Sequence, residues 1–368
     1  MRTLRINLDA IVHNLDVMRA RASGAKVMGV VKANAYGHGA IQVAKTLERA
    51  GVDYLGVADV KEALDLRAAG VQAPVLAWLH DPGDNFEAAL THKVDLGVAN
   101  LEQLERIAKA TAITGQVAAL HLKIDTGLGR NGSTEANWPL LLEAVKELGS
   151  AVRVVGIFSH LSSTNREEDS AQIARFDSAV AEAKRLGVQF QLRHLTASDG
   201  SLAYPEAHYE MVRIGVALYG LDPFSTNRSA EYGLIPAMTA VSRVAQVKTV
   251  PAGHGVSYNF LHRTKSETNL ALVPVGYAEG LPRAASGKAE VSIGGKRYPI
   301  LSQVAMDQFV LDVGNDPIQV GDEVTIFGDG SHGVPSADDL AAACGTINYE
   351  IVTRMGGRFT LEYVGEGL

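Results

Sequence analysis

A lysine at the end of an apolar run is the residue best placed for covalent chemistry. Lys32 follows Val27–Val31 and precedes Ala33–Gly39, a turn of small residues with two glycines. A strand that delivers a lysine to its C-terminal end is how a barrel presents a side chain to an active site. A desolvated amine with cationic neighbours can form a Schiff base. The alternative interpretation is a strand end whose lysine only reaches water.

Other polar residues stand where further strands are expected to end, and in a barrel such residues meet at one rim. Gly215 would let the backbone approach a ligand and Ser198 can donate its hydroxyl, which favours a phosphate site after the last two strands. Gly215 equally suits a simple turn, and Ser198 a helix cap. Lys123 and Arg130 also suit solvated rim charges, and His160 a hydrogen-bonded core histidine. The rim residues are Lys32, Lys123, Arg130, His160, Ser198, Arg213, Gly215 and Val216.

Eight short β-branched runs alternate with helical patterns between about residues 8 and 230, which predicts an α/β fold with a (β/α)₈ TIM-type barrel. A doubly wound sheet is the alternative, although no GxGxxG motif follows a strand. The predicted strands are Val27–Lys32, Tyr54–Ala58, Pro74–Trp78, Val94–Ala99, Ala118–Asp125, Val152–His160, Gln191–Thr196 and Met211–Tyr219.

The clearest helical pattern between these strands covers Glu167–Leu186. Thr164 followed by Glu167 predicts a capping box at its start. Helical period also marks Val60–Ala69 and Leu101–Ala110. The apolar stripe of the long helix is predicted to consist of Ile173, Phe176, Val180 and Leu186.

The pattern changes after about residue 230, where short strand-like runs are separated by turn-forming residues. We therefore predict a barrel domain over residues 1–230 and a mostly β C-terminal domain over 231–368. The chain's first strand, Arg2–Ile6, is a candidate to join the β domain, and one helix is expected near Ser336–Ala343. The predicted strands are Val241–Val250, Asn269–Val275, Glu290–Ile293, Phe309–Val313 and Glu323–Phe327.

Composition narrows the classes of partner. The chain has 368 residues, 46% of them hydrophobic, with a net charge of -7 and a pI of about 5.9, which argues against nucleic acid as a partner. No run approaches the roughly 20 apolar residues of a membrane span, and no signal peptide is recognised, so we expect a cytoplasmic protein. Cys344 is the only cysteine, which excludes an intrachain disulfide. The absence of HExxH, CxxC, GxSxG and Walker A motifs predicts no metal site, serine hydrolase or P-loop.

The segment Val30–Gly39 resembles the cofactor-lysine signature of the alanine racemases, and the resemblance covers essentially the whole chain. It implies a racemase that depends on pyridoxal 5′-phosphate (PLP), interconverts L- and D-alanine, and supplies D-alanine for cell-wall peptidoglycan. It also implies a homodimer with shared active sites. The other matching segments are Lys123–Arg130, Ser159–His160, His194–Ser198, Arg213–Gly215, Val256–Tyr258, Val275–Gly280, Met306–Asp307 and Ile347–Glu350.

The resemblance also assigns roles to individual residues. Lys32 would hold PLP as a Schiff base and act as one base, while Tyr258 from the second subunit would act as the opposing base on the L side of the substrate. Arg213 would hydrogen-bond the pyridine nitrogen, and His160 would link it to Tyr258. The phosphate-site residues by resemblance are Tyr36, Ser198, Gly215, Val216 and Tyr349, and the substrate-side residues are Arg130, Met306 and Tyr277, with Lys123 a possible carbamylated lysine beside Arg130.

Racemisation chemistry agrees with these roles. A proton must leave one face of Cα and return on the other, which needs two groups on opposite sides. A phenol of pKa about 10 and an amine of about 10.4 are poor bases at neutral pH, so nearby cations must lower both pKa values. Because an arginine stays protonated, it would not transfer a proton to the pyridine ring. An unprotonated ring withdraws electrons less strongly than a protonated one, which discourages side reactions.

Three positions depart from the commonest family pattern. Asn259 stands where many members have glycine, Ala197 where many have asparagine, and Ala305 where cysteine is frequent. The first could alter the loop that carries Tyr258, and hence rate or substrate range. A broader-specificity racemase, a barrel-type PLP amino-acid decarboxylase and a PLP-carrying regulatory protein remain alternatives.

Overall fold

The computed structural model describes residues 2–226 and 228–367. Its backbone divides into two compact units. The first unit comprises Leu15–Ala35 and Ala40–Leu218. The second comprises the chain from residue 2 to Asn14, the stretch Tyr36–Gly39, and the chain from Tyr219 onwards. Within the described residues, no helix has both the length and the apolar character needed to cross a membrane.

The chain begins with strand β1 (Thr3–Asn7), which belongs to the second unit, and then forms a nearly closed barrel in the first unit. The barrel strands are β2 (Lys26–Val30), β3 (Tyr54–Val57), β4 (Val75–Ala77), β5 (Val94–Val98), β6 (Ala118–Lys123), β7 (Val152–Phe158), β8 (Leu192–His194) and β9 (Met211–Ile214). From β2 to β8 each strand pairs in parallel with the next, and β9 pairs with β2. Between β8 and β9 the Arg213 N–H donates to Thr196 O at 3.1 Å. The predicted parallel barrel is confirmed.

The helices follow the strands as a βα repeat requires. Asp59, Asn100 and Asn165 each cap a helix by accepting the N–H of the third helical residue, and this satisfies one of the donors that a helix start leaves unpaired. The helices are α1 (Leu8–Arg21), α2 (Lys32–Tyr36), α3 (Ala40–Arg49), α4 (Val60–Ala68), α5 (Phe86–Thr91), α6 (Leu101–Thr114), α7 (Trp138–Glu147), α8 (Arg166–Arg185), α9 (Ser198–Ala203), α10 (Ala337–Cys344) and α11 (Asn348–Arg354).

The predicted capping box of α8 is wrong by one residue. Asn165, not Thr164, is the cap, because its extended backbone lets its side-chain oxygen accept Glu168 N–H at 2.9 Å. The Thr164 hydroxyl instead contacts Ser162 Oγ at 3.0 Å.

The predicted apolar stripe of α8 is also only partly right. Phe176 is buried, but Ile173 and Val180 are half-buried, and the buried face includes Asp169 and Gln172. These two polar residues are buried because they hydrogen-bond the loop that follows β7. Gln172 accepts Ser162 N–H at 3.0 Å, and Asp169 accepts Ser163 N–H at 3.0 Å.

The second unit contains a nine-stranded sheet and a separate two-stranded hairpin. The strands are β10 (Met238–Arg243), β11 (Gln246–Val250), β12 (Gly255–Val256), β13 (His262–Arg263), β14 (Thr268–Val273), β15 (Glu290–Ile293), β16 (Lys296–Leu301), β17 (Phe309–Gly314), β18 (Glu323–Phe327) and β19 (Thr360–Val364). Sheet order is β11-β14-β17-β16-β15-β18-β10-β1-β19, so β1 lies between β10 and β19. The predicted mostly β C-terminal architecture is confirmed.

The predicted strand Val241–Val250 is in fact two strands that pair with different neighbours. The chain changes partner at Val244, whose N–H donates to Asp322 O, and at Ala245, whose N–H donates to Leu272 O. Five further elements of this unit were not predicted: the strands β12, β13, β16 and β19 and the helix α11.

Candidate active site

Lys32 lies two residues beyond the end of β2, and the backbone after it turns with left-handed geometry. Ala33, Asn34 and Ala35 have φ values of 50°, 55° and 54°, a conformation that costs a residue other than glycine about 1–2 kcal/mol. Glu62 stabilises this turn, because one carboxylate oxygen accepts Ala33 N–H at 2.7 Å and the other accepts Ala58 N–H at 2.8 Å.

The amine of Lys32 lies in a cationic and partly desolvated environment. Burial is the main cause that lowers its pKa, and Arg130 and Arg213 lower it further, while Glu62 opposes them. The neutral form of an amine is favoured by both loss of water and nearby positive charge. Lys32 is therefore closer to a usable nucleophile and base than a lysine in water.

Arg213, in β9, is buried and fully engaged at its two terminal nitrogens. One donates to His194 O at 2.6 Å, and the other donates to Ser159 O at 2.7 Å and Leu195 O at 2.9 Å. Burial lowers the pKa of Arg213 to about 10, which leaves it protonated at neutral pH. Among the described residues none accepts from its Nε–H, so this donor is available for a ligand.

His160 follows β7 and contacts the same guanidinium. Its Nδ1 lies 3.1 Å from a terminal nitrogen of Arg213, and an arginine can only donate. Nδ1 therefore carries no proton, and the neutral ring carries its proton on Nε2. Burial lowers the pKa of His160 well below its usual value, and the charges of Arg213, Arg130, Lys123 and Lys32 add to this effect.

Lys123 ends β6 and is only 8% exposed. Its Nζ lies 5.3 Å from the centre of the Phe158 ring. Burial, followed by the charges of Arg213 and Arg130, lowers the pKa of Lys123 to about 8. A buried lysine surrounded by cations is poorly stabilised as an ammonium ion, so a reaction that makes it neutral or negative is favoured.

Arg130 is exposed at the end of the loop that follows β6. Asp125 shapes this loop, because one of its carboxylate oxygens accepts Gly127 N–H at 2.9 Å and Gly129 N–H at 3.1 Å. From α8, Arg175 donates to Thr126 O at 2.9 Å. The loop that carries Arg130 is thus held at its base.

Ser198 connects the loops after β8 and β9. Its Oγ accepts Gly215 N–H at 3.0 Å and Ala217 N–H at 3.4 Å, which leaves its own hydroxyl proton free to donate to an anion. Val216 is buried beside these N–H groups. Ala197 stands at the cap position of α9 and offers no side-chain hydrogen bond to it.

Two of the candidate phosphate-site tyrosines lie together in the second unit. The ring centres of Tyr36 and Tyr349 are 6.2 Å apart. The glycine after Tyr36 is required there, because Gly37 has φ 83° and an added Cβ would lie 2.5 Å from Val352 O. This close approach explains one glycine of the lysine motif.

Tyr258, also in the second unit, is 66% exposed on a short turn with unusual backbone. Ser257 and Asn259 on either side have φ values of 56° and 62°. Asparagine adopts this left-handed conformation more readily than other residues apart from glycine, so Asn259 preserves the backbone that a glycine would provide. The neighbouring side chains of Phe260 and Leu261 are 56% and 68% exposed.

Tyr277 and Met306 lie on two adjoining loops of the second unit. Tyr277 N–H donates to Ala305 O at 3.1 Å and Ala278 N–H donates to Met306 O at 3.0 Å. Both side chains are exposed, at 41% and 53% respectively. Ala305 contributes to this contact through its backbone, which alanine and cysteine share.

The structure thus brings together Lys32, Lys123, Arg130, His160 and Arg213 at the rim of the barrel, with Ser198, Gly215 and Val216 after β8 and β9. The sequence did not single out Glu62, the half-buried Asp95 or the buried His121. Little in the sequence marks Asp95 and His121, because each is a single polar residue inside an apolar strand run.

Comparisons with known proteins cover nearly the whole chain. Family models for the alanine racemase N-terminal and C-terminal domains match residues 6–223 and 237–363. An alanine racemase of Frankia casuarinae is 48% identical over 365 residues, which cover 98% of this chain and 95% of the relative. An alanine racemase of Mycobacterium tuberculosis is 45% identical, and that match covers 97% of this chain and 94% of the relative.

Solved structures agree with these sequence matches. The alanine racemase of Streptomyces lavendulae superposes with a TM-score of 0.96 at 43% identity, covering 99% of this chain and 97% of that one. The enzyme of Streptomyces coelicolor gives a TM-score of 0.97 at 41% identity, covering 99% and 98%. The similarity therefore extends to both units.

Proposed function

Because this chain belongs to the alanine racemase family, we propose that it interconverts L-alanine and D-alanine with PLP bound covalently at Lys32. The observation that carries the proposal is the surroundings of Lys32, a lysine with a lowered pKa at the barrel rim among Arg130, Arg213 and Lys123. In the cell the product D-alanine would serve cell-wall peptidoglycan. The cytoplasmic location inferred from sequence remains a prediction, which fractionation would check.

The residues of the first unit suit the functional groups of PLP. The amine of Lys32 would bind the aldehyde, and the unengaged Nε–H of Arg213 would donate to the pyridine nitrogen. The Ser198 hydroxyl and the backbone at Gly215 and Val216 would bind the phosphate. By the family resemblance alone, Tyr36 and Tyr349 are also proposed as phosphate ligands. When bound, PLP withdraws electrons from the substrate and makes its α-proton acidic.

Lys32 is proposed to move the proton on one face of the substrate. Burial and two arginines favour its neutral form, which a base requires. Arg213 stays protonated with a pKa of about 10, so it donates a hydrogen bond without giving up its proton. The pyridine ring of PLP would then stay unprotonated and would withdraw electrons less strongly, which disfavours competing reactions.

Tyr258 of a second copy is proposed to serve the opposite face, so that the working enzyme is a homodimer. The support is the exposure of the Tyr258 turn, where Tyr258, Phe260 and Leu261 are all more than half exposed. Large apolar side chains grouped in this way are typical of a surface that a partner covers. His160, whose Nε2 carries a proton, is the proposed donor toward this tyrosine.

The substrate carboxylate is proposed to meet Arg130, with Met306 and Tyr277 on the substrate side. Lys123 is proposed to carry a carbamate that pairs with Arg130. Carbamylation needs a neutral amine, and a pKa lowered to about 8 increases the fraction of neutral amine at neutral pH. Labelling with ¹³C-bicarbonate should give a carbamate carbon signal that Lys123→Ala removes, and persistence of the signal would contradict the assignment.

Borohydride reduction followed by peptide mapping tests the cofactor site. The pyridoxyl group is expected on Lys32. Lys123→Met, which removes the other buried rim lysine, should leave the label in place. A label on any other lysine would overturn the assignment.

Activity assays separate the alternatives. Incubation with L-alanine should produce D-alanine, followed by chiral chromatography. Comparable turnover of several other amino acids would indicate a broader-specificity racemase, and release of carbon dioxide would indicate a decarboxylase. A regulatory protein would bind PLP without turnover.

A further inference from the structure

Three polar side chains, those of Asp95, His121 and His194, form a line across the interior of the barrel that ends at Arg213. His194, at the end of β8, and His121, in β6, are both fully buried. His194 Nε2 lies 2.9 Å from His121 Nδ1. On the far side, His121 Nε2 lies 3.5 Å from a carboxylate oxygen of Asp95, in β5. At this separation the contact is electrostatic and not a hydrogen bond, and within the described chain His121 Nε2 has no hydrogen-bond partner.

The barrel makes specific room for these rings. On β7, Gly156 faces His121, and a Cβ there would lie 2.6 Å from His121 Nδ1. The Phe158 ring stacks on His194 with the centres 5.0 Å apart and the planes within 2°. Two imidazoles and a carboxylate are costly to bury where aliphatic side chains would serve for packing, which indicates a role beyond filling the core.

The two ends of the line determine the position of every proton along it. Arg213 can only donate, and its terminal nitrogen lies 3.3 Å from His194 Nδ1, so that nitrogen is unprotonated. A neutral His194 then carries its proton on Nε2 and donates to His121 Nδ1. His121 in turn carries its proton on Nε2, facing Asp95, which as a carboxylate can only accept.

We propose that Asp95, acting through His121 and His194, positions the guanidinium of Arg213 for its ligand. The carboxylate selects the tautomer of His121, His121 selects that of His194, and His194 thereby presents an acceptor to Arg213. The three are positioning residues, since none of them touches the reacting atoms. The inference rests on the proposed role of Arg213 toward the pyridine nitrogen.

Loss of the carboxylate has a definite consequence. Without Asp95, only Arg213 still selects the tautomers, so the state in which His121 and His194 are both protonated on Nδ1 becomes populated. In that state His194 directs an N–H at an arginine N–H. Two donors repel each other, so the planar guanidinium tilts and its Nε–H changes direction. Arg213 keeps its three backbone carbonyl acceptors, so it is displaced rather than released.

The test compares Asp95→Leu with Tyr54→Phe. The Tyr54 hydroxyl donates to the same Asp95 oxygen but does not lie between Asp95 and Arg213, so Tyr54→Phe removes a nearby polar contact and leaves the line intact. ¹⁵N NMR of histidine-labelled, cofactor-free protein should show His194 protonated on Nε2 in the wild type and in Tyr54→Phe. In Asp95→Leu the Nδ1-protonated tautomer should appear.

The PLP-bound enzyme provides the second measurement. In Asp95→Leu, kcat should fall about 10- to 100-fold, the range seen when outer residues that orient metal-binding side chains are replaced. KM should change little, and the visible absorption of the bound cofactor should shift. Tyr54→Phe should lose far less kcat, because the contacts from Asp95 through His121 and His194 to Arg213 remain. If Asp95→Leu does not fold, His121→Phe, which removes the acceptor of His194, replaces it with the same expectations.

Two results would overturn the proposal: an unchanged His194 tautomer in Asp95→Leu, or equal losses of kcat in Asp95→Leu and Tyr54→Phe. Its failure is distinguishable from failure of the proposed function. The tautomers are measured without cofactor, whereas the proposed function fails if the wild-type enzyme does not racemise alanine.

Discussion

At the scale of single residues, Lys32 and Tyr258 are prepared for proton transfer in different ways. Lys32 is partly buried among cations that lower its pKa. Tyr258 is 66% exposed within its own chain, and in the proposed homodimer the partner subunit would provide the surroundings of its phenol. The proposal that each subunit contributes one base to a shared site accounts for this difference in burial.

Tyr258→Phe should separate the two faces of the substrate. By the family resemblance Tyr258 serves the L side, so exchange of the α-proton of D-alanine with deuterated water should persist while exchange from L-alanine falls by about 10²–10⁴-fold. ¹H NMR in D₂O follows both reactions, and Lys32→Ala is the control that should lose both. Equal losses for the two enantiomers would mean that Tyr258 does not move a proton.

Asn259 provides a test of the backbone that carries Tyr258. Its φ of 62° suits glycine and asparagine, so Asn259→Gly should retain kcat and stability. Asn259→Val should lower the free energy of unfolding by about 1–2 kcal/mol, because a β-branched residue is strained in this conformation, and it should also lower kcat. Thermal unfolding and racemase assays measure both, and equal behaviour of the two variants would argue against the backbone explanation.

At the scale of elements, the barrel strands end in loops that are held by side chains from neighbouring helices. Glu62 of α4 holds the left-handed turn after Lys32, and Arg175 of α8 holds the loop that leads to Arg130. In both cases a helix on the outside of the barrel fixes a loop at its rim. Contacts from outside the site therefore hold the loops that carry Lys32 and Arg130.

Glu62→Ala should loosen the turn after Lys32. It removes the acceptor of two backbone N–H groups, so the free energy of unfolding should fall by about 2–4 kcal/mol and kcat should fall with it. Urea denaturation gives the stability. The matched control is Lys61→Ala on the same helix, whose ion pair with Asp65 is exposed and contributes little; a similar loss in both variants would refute the role of Glu62.

At the scale of the whole molecule, neither compact unit is a continuous stretch of sequence. Strand β1 lies between β10 and β19 in the nine-stranded sheet, and Tyr36–Gly39 belongs to the same unit. A fragment that starts near residue 230 would therefore lack a central strand of its own sheet. The two units are expected to fold as parts of one chain.

Mixing inactive subunits tests the proposed shared sites. Lys32→Ala and Tyr258→Phe each inactivate a homodimer, but a hybrid has one site with both residues intact. After subunit exchange about a quarter of wild-type activity should return, because half of the dimers are hybrids with one working site. Absence of recovery, despite exchange verified by mass spectrometry, would exclude sites shared in this way.

Much of the architecture is determined by local sequence. Eight β-branched runs with helices between them predict the barrel because a buried strand must be apolar over its own few residues. Lys32 and His160 were predicted at the rim for the same reason, since each ends such a run, and Arg213 was placed there within the last run. Local sequence does not show where the chain changes from one neighbouring strand to another. At Val244 the predicted single strand divides into β10 and β11, which pair with different strands.

The tertiary structure alone decided the features that depend on residues distant in sequence. Asp95, His121 and His194 each look ordinary within their strands, and only the closure of the barrel aligns them behind Arg213. The left-handed turn after Lys32 likewise needs Glu62, 30 residues further along the chain, to offset its strain. Sequence determines which residues a strand or helix presents, but hydrogen bonds across the barrel exist only once the strands are paired in register.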